Sequence, residues 1–195
     1  MHFTDATGLL GCALALTVLA ARLPLIARLV PQYRGWALLA VFVVMLVPAG
    51  GMPLAGYLRG VSGDLSITAL VLLGASLLRH LWRWQAMPGR DMLLLLIAIA
   101  AAGFYPVALG WGEYDPYRMG YGSNWLLACL LGIALLAAWK GFAAITITLA
   151  AAVLAWSMGW YESGNLWDYL LDPAVSIYAA AALFLLGAGR LRKVR

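Results

Sequence analysis

The sequence predicts an all-α fold: a polytopic membrane helix bundle of about seven transmembrane helices, N-terminus outside and C-terminus inside. Three observations carry that expectation. Of the 195 residues, 65% are hydrophobic and only 11% charged, where an ordinary soluble domain carries about 25% charged residues. The mean hydropathy is +0.90, and the apolar residues fall in long runs broken by short polar connections. Finally, the basic residues collect on alternate connections, as topology signals do. Each crossing takes roughly 17 to 25 apolar residues, so residues 1–195 are expected to form a single integral membrane domain. The apolar runs place helices at about 8–29, 36–58, 65–81, 92–110, 124–139, 142–161 and 173–189.

The first residues, MHFTDATG, carry an acid and no Lys or Arg, whereas Arg22, Arg28 and Arg34 follow the first apolar run. A secretory signal has its positive charge before the apolar segment, so the first helix reads as uncleaved, with its N-terminus outside. Arg22 can snorkel to the inner interface. The second helix meets Pro48, Gly50, Gly51 and Pro53 in its outer half. Those residues remove helix hydrogen bonds, and a break is expected there. In the turn GYLRGVSGDLS, Asp64 stands where an N-cap of the third helix belongs. Gly56 and Gly60 form a GxxxG pattern suited to close helix contact.

The segment RHLWRWQAMPGRD alternates Arg79, Arg83 and Arg90 with Trp82 and Trp84. Between two apolar runs this is an inner loop with interfacial anchors rather than a nucleic-acid patch, and no nucleic-acid partner is expected. His80 has no paired ligand there. Asp91 is the expected cap of the fourth helix, and Pro106 marks a bend near its outer end. Ser123 or Asn124 caps the fifth helix. Lys140 and Gly141 turn it into the sixth, since one continuous helix over 125–160 would be about 54 Å long, far beyond a core of about 30 Å. Asp172 followed by Pro173 is a start signal for the seventh, with Asp at N-cap and Pro at N1.

Charge placement fixes the orientation. Arg22, Arg28, Arg34, Arg79, Arg83, Arg90, Lys140, Arg190, Arg192, Lys193 and Arg195 fall inside, eleven of thirteen basic residues, leaving Arg59 and Arg118 outside. Of the eight acids only Asp91 falls inside. Cys12 and Cys129 each lie alone in an apolar run, as small buried hydrophobes do.

The polar stretch WGEYDPYRMGYGSNW packs Glu113, Asp115 and Arg118 among Tyr114, Tyr117 and Tyr121, with Trp111 and Trp125 at its ends. Aromatic residues with one wet tip at both edges of a polar insert suit a membrane interface. YESGNLWDYLLDP repeats the style, and Asp168 and Asp172 share a face if 165–171 forms a short interfacial helix. The topology thus brings Arg59, Asp64, Glu113, Asp115, Arg118, Glu162, Asp168 and Asp172 to one outer face as the candidate cluster. Desolvated charge must be neutralised, paired or metal-bound. Ion pairing by Arg59 and Arg118 between outer loops is the simplest use of these residues. A site is the sharper alternative, with Glu113 and Asp115, or Asp168 and Asp172, holding a divalent cation while an arginine clamps a lipid phosphate. There is no HExxH and no GxSxG, and no obvious base partners Ser62, Ser66, Ser123 or Ser163. No cofactor and no catalytic residue is assigned.

Three function classes follow. The leading expectation is an integral membrane accessory or scaffold protein, in a bacterial inner (cytoplasmic) membrane, whose outer acid and aromatic loops contact a membrane-protein partner or envelope-lipid machinery. Membrane lipids are its expected surroundings. The first alternative is a membrane-embedded enzyme of lipid or lipid-linked carbohydrate metabolism using the same face. The second is a small-solute or lipid transporter, which the broken second helix favours and the lack of a mid-span carboxylate opposes.

Overall fold

The computed structural model describes residues 3–82 and 84–193. It is all-helical except for one two-stranded turn. Its contacts divide into two compact units that interleave in sequence: the chain up to Leu65 with Ala69–Ala86 and Trp160–Glu162, and Ser66–Thr68 with Met87–Gly159 and the chain from Ser163 on.

In the first unit, α1 (Phe3–Ala20) packs against α3 (Pro31–Leu46) and α4 (Leu54–Ser62). The predicted first helix is not continuous: α1 stops at Ala20 and a short α2 (Pro24–Ala27) follows. Pro24 is the cause, because it has no N–H for the Ala20 carbonyl and its ring crowds the preceding turn. Pro24 and Pro31 instead start α2 and α3, where a missing N–H costs nothing. Ala21, Ile26 and Leu38 form a small core covered by Leu29, Val41, Leu77 and Leu81. The break expected in the second helix is present. Between α3 and α4, β1 (Pro48–Ala49) and β2 (Met52–Pro53) pair antiparallel, Pro48 opposite Pro53. The connecting Gly50 and Gly51 have φ of 70° and 103°, the left-handed pair that a tight two-residue hairpin requires. The GxxxG pattern does not work as expected: Gly56 lies against Met52 and Pro53 of its own turn, and Gly60 faces open space.

α5 (Ile67–Trp82) ends in Arg79 and His80. Its predicted cap is also corrected. Asp64 is held by Arg59 instead, and the N–H of Ser66 is bound by Asp172.

In the second unit, α6 (Arg90–Ala108) packs on α10 (Pro173–Lys193) and on α8 (Ala143–Ser157), and α7 (Asn124–Trp139) forms an antiparallel hairpin with α8. The Lys140–Gly141 turn therefore separates two helices, with Gly141 at φ 73°. Ser123 caps α7, accepting from the Leu126 N–H at 3.5 Å. Asp91 does not cap α6. Gly89 takes that position without a side-chain bond, and Asp91 meets Arg90 at 3.2 Å. Pro106 lies within the last turn of α6. The expected short helix is present as α9 (Leu166–Leu170).

Seven of these helices are apolar. Among the described residues, α6 alone, 19 residues long, is by length and composition long and apolar enough to cross a membrane, and only 17% of its apolar window is buried. The other six, Thr4–Ala20, Pro31–Leu46, Ile67–Trp82, Asn124–Trp139, Ala143–Ser157 and Pro173–Gly187, are shorter.

Candidate functional site

The polar connections build two separate assemblies, one in each unit. In the second unit a 3-10 turn, Pro116–Gly120, follows Asp115, whose carboxylate accepts from the Tyr117 N–H at 2.9 Å. Asp115 is thus an N-cap, with Pro116 at the first position of the turn. The Tyr117 hydroxyl donates to Asp168 Oδ2 at 2.9 Å. Ser163 donates to the same oxygen through a short hydrogen bond. One carboxylate oxygen therefore takes two hydroxyl protons. Burial first, and then the hydrogen bond to Asp168, push the Tyr117 phenol above its ordinary range. Each cause disfavours phenolate, the second because it would lie against a carboxylate.

Asn165 is the pivot of this assembly and is fully buried. Its Oδ1 accepts from the Trp167 N–H at 2.9 Å and its Nδ2 donates to the Tyr117 carbonyl at 2.9 Å. Its own N–H donates to Ser163 Oγ at 3.0 Å. Trp167 Nε1 reaches the Pro116 carbonyl at 3.0 Å, and its ring lies 4.5 Å from that of Phe104. Gly120 makes this possible, because a Cβ there would overlap the Asn165 carboxamide and the Trp167 ring. Neither Asn165 nor Gly120 stands out in the sequence. The only local signal is an Asn just before a short helical stretch, a favoured capping position.

Asp172 is buried, 5% exposed. One oxygen accepts from the Val175 N–H at 2.8 Å, which is the predicted N-cap of α10. The other accepts from the N–H and hydroxyl of Ser66, at 2.8 and 2.6 Å. Asp168 and Asp172 therefore serve different donors. Ser66 and Ser163 do have carboxylate partners that sequence reasoning missed: Asp172 lies 106 residues from Ser66, beyond the reach of any local rule, whereas Asp168 lies only five from Ser163 and was overlooked.

In the first unit Arg59, in the last turn of α4, closes its guanidinium fork on Asp64, with Nε to Oδ1 at 2.6 Å and Nη2 to Oδ2 at 3.3 Å. Nη1 reaches Asp5 of α1 at 3.0 Å. Asp5 lies 54 positions away from Arg59 and is absent from the sequence-derived cluster. The fork suits bidentate carboxylate binding. The hydrogen bonds that the Arg59 guanidinium donates to Asp64 push it further above its already high range, against the opposing effect of burial. α1 approaches this pair closely because residue 8 is Gly: a Cβ there would meet the Asp64 carboxylate and Arg59 Nε. Tyr161 donates to the Leu65 carbonyl at 2.7 Å, and Thr7 to the Trp160 carbonyl at 2.9 Å.

Glu113, Arg118 and Glu162 are exposed. Among the described residues Arg118 has no acidic partner, so the expected second interloop ion pair is not present there. No group of three or more His, Cys, Asp or Glu side chains able to hold a metal occurs among the described residues. Around Glu113 and Arg118 the large aromatic rings face outward, with Trp111 78%, Tyr114 61%, Tyr121 62% and Trp125 79% exposed. No family model, no curated protein and no solved structure matches the chain.

Proposed function

We propose that the protein is an integral membrane accessory or scaffold protein whose loop from Trp111 to Trp125 docks a membrane-protein partner. The membrane part of this reading is supported by the apolar outward faces of the helices. Leu131, Leu135, Trp139, Ile147, Leu154, Phe184 and Leu185 are all about half or more exposed, which in water would leave apolar patches far larger than soluble proteins carry. The seven apolar helices serve as seven spans. The six shorter ones match a hydrocarbon core that thins locally or is completed by their flanking residues. Eleven of the thirteen basic residues then lie on the cytoplasmic side of a bacterial inner membrane, with the acid and aromatic loops on the outer side.

One observation carries the docking role: the division of labour among the polar groups. Asp64, Asp168 and Asp172 are consumed by internal donors, which favours architecture over turnover. Glu113 and Arg118 remain free beside four outward aromatic rings, and exposed aromatic and Arg side chains are the residues that anchor protein interfaces. The test is cross-linking and affinity capture of the tagged full-length protein from its own membranes. Wild type should recover a defined membrane protein, and Glu113→Ala with Arg118→Ala should lower its recovery about tenfold at unchanged protein level. Equal recovery by both proteins would reject this loop as the docking surface.

A further inference from the structure

A second polar grouping lies at the other end of the helices of the first unit, away from the Arg59 fork. The small core of Ala21, Ile26 and Leu38, with Leu77 and Leu81 against it, draws together the end of α1, α2, the middle of α3 and the end of α5, and nearer the start of α3 a Cβ at Gly35 would lie 3.8 Å from the Leu81 side chain. Beside those apolar residues in sequence stand Arg22, Arg34, Arg79 and His80. His80 is within Coulombic reach of all three arginines. Among the described residues none of the three has an acidic partner.

Arg34 is the unusual member. It sits in the first turn of α3, a helix whose first turn holds no acid and whose positive dipole end disfavours a cation. Its Nη2 leans back onto the Ala27 and Leu29 carbonyls at 2.6 and 3.2 Å, and its Nε is buried without a partner. Like charges gathered beside a helix N-terminus destabilise one another unless an anion joins them. At the same helix ends, Tyr33 is 58%, Trp36 73% and Trp82 64% exposed. Amphipathic rings of this kind sit at the level of lipid headgroups.

We propose that Arg22, Arg34, Arg79 and His80 form a binding site for the phosphate of an anionic phospholipid headgroup. The arginines supply the charge and the rings fix the depth. The proposal rests on the membrane reading above. It differs from general attraction of basic residues to a charged surface, because it names one phosphate and the four side chains that would meet it.

The experiment places the full-length protein in lipid nanodiscs made of phosphatidylcholine with an equal share of phosphatidylglycerol, and counts retained lipids by native mass spectrometry after partial delipidation. Wild type should retain phosphatidylglycerol over phosphatidylcholine. Arg79→Gln, an exposed position without a side-chain partner, should cut that preference about fivefold, and Arg34→Gln by at least as much, given the contribution expected of one basic residue near an anionic surface. Arg34→Lys, which keeps the charge, should retain most of it. Equal retention of both lipids by wild type, or an unchanged preference in both Gln variants, would overturn the site while leaving the membrane reading intact. Failure to enter these nanodiscs would overturn both. Displacement of the retained lipid by an equimolar amount of inorganic phosphate would assign the site to free phosphate and overturn the lipid assignment.

Discussion

The two units secure their polar connections by different means. In the first, a guanidinium neutralises two carboxylates, Asp5 and Asp64, at side chains that are one-fifth to one-third exposed. In the second, the Asp168 carboxylate has no cation among the described residues and is held by two hydroxyls, beside a fully buried carboxamide. A charge pair near water is tolerant of geometry and sensitive to ionic strength, whereas a part-buried network of neutral donors turning on a buried carboxamide is less tolerant of geometry and less sensitive to salt. The same residue type therefore plays two parts in one small protein.

The largest expected effect compares the two glycines that admit these assemblies. Gly120→Ala pushes a methyl into Asn165 and Trp167, both fixed by hydrogen bonds, and overpacking of that kind costs about 1 to 3 kcal/mol. Gly8→Ala meets only the ends of the Asp64 and Arg59 side chains, and the better helix propensity of Ala returns about 1 kcal/mol. Thermal unfolding in detergent should show a much larger loss for Gly120→Ala. Equal losses would mean that the buried network is as yielding as the ion pair.

A middle-sized effect comes from Arg59→Ala. It removes the cation from Asp5 and Asp64 and should cost about 1 kcal/mol at low salt, a value discounted for exposure. Because screening weakens the wild-type pair, the gap between wild type and variant should narrow as sodium chloride rises from low concentration to about 1 M. A gap that stays constant across that range would show that the fork acts through packing and geometry instead of charge.

The smallest effect concerns Tyr117, whose phenol burial and Asp168 hold above its ordinary range. The folded state binds this proton more tightly than the unfolded chain does. Its contribution is therefore fully present below the unfolded value of about 10 and is lost as pH climbs above it. Tyr117→Phe should cost about 0.5 to 1.5 kcal/mol at neutral pH and should flatten the decline in stability above about pH 10. A variant that declines as steeply as wild type at alkaline pH would remove Tyr117 as the titrating group.

How much of this was legible in the sequence differs between fold and site. Helix identity and the position of α7 follow from apolar runs and turn chemistry, which act over a few neighbouring residues. The break at Pro48 to Pro53 and the cap at Asp172 were readable for the same reason. Asp64 and Asp91 were misread as caps because a local capping rule cannot see a competitor: Arg59 captures Asp64, and Gly89 already occupies the turn before α6. Within the candidate cluster, Arg59 with Asp64 was close enough in sequence to suspect. Asp5, Asn165 and Gly120 were not, since their roles depend on which segment folds beside them.

The chain order of the two units carries a consequence for biosynthesis. Leu65 receives its hydrogen bond from Tyr161, and Thr7 finds its partner in Trp160, so the first unit stays unfinished until synthesis has passed Tyr161. The carboxy-terminal unit in turn claims Ser66 for Asp172 from far upstream. Neither unit can be excised by cutting the gene once, and a product truncated after α7 would lack the last pieces of both.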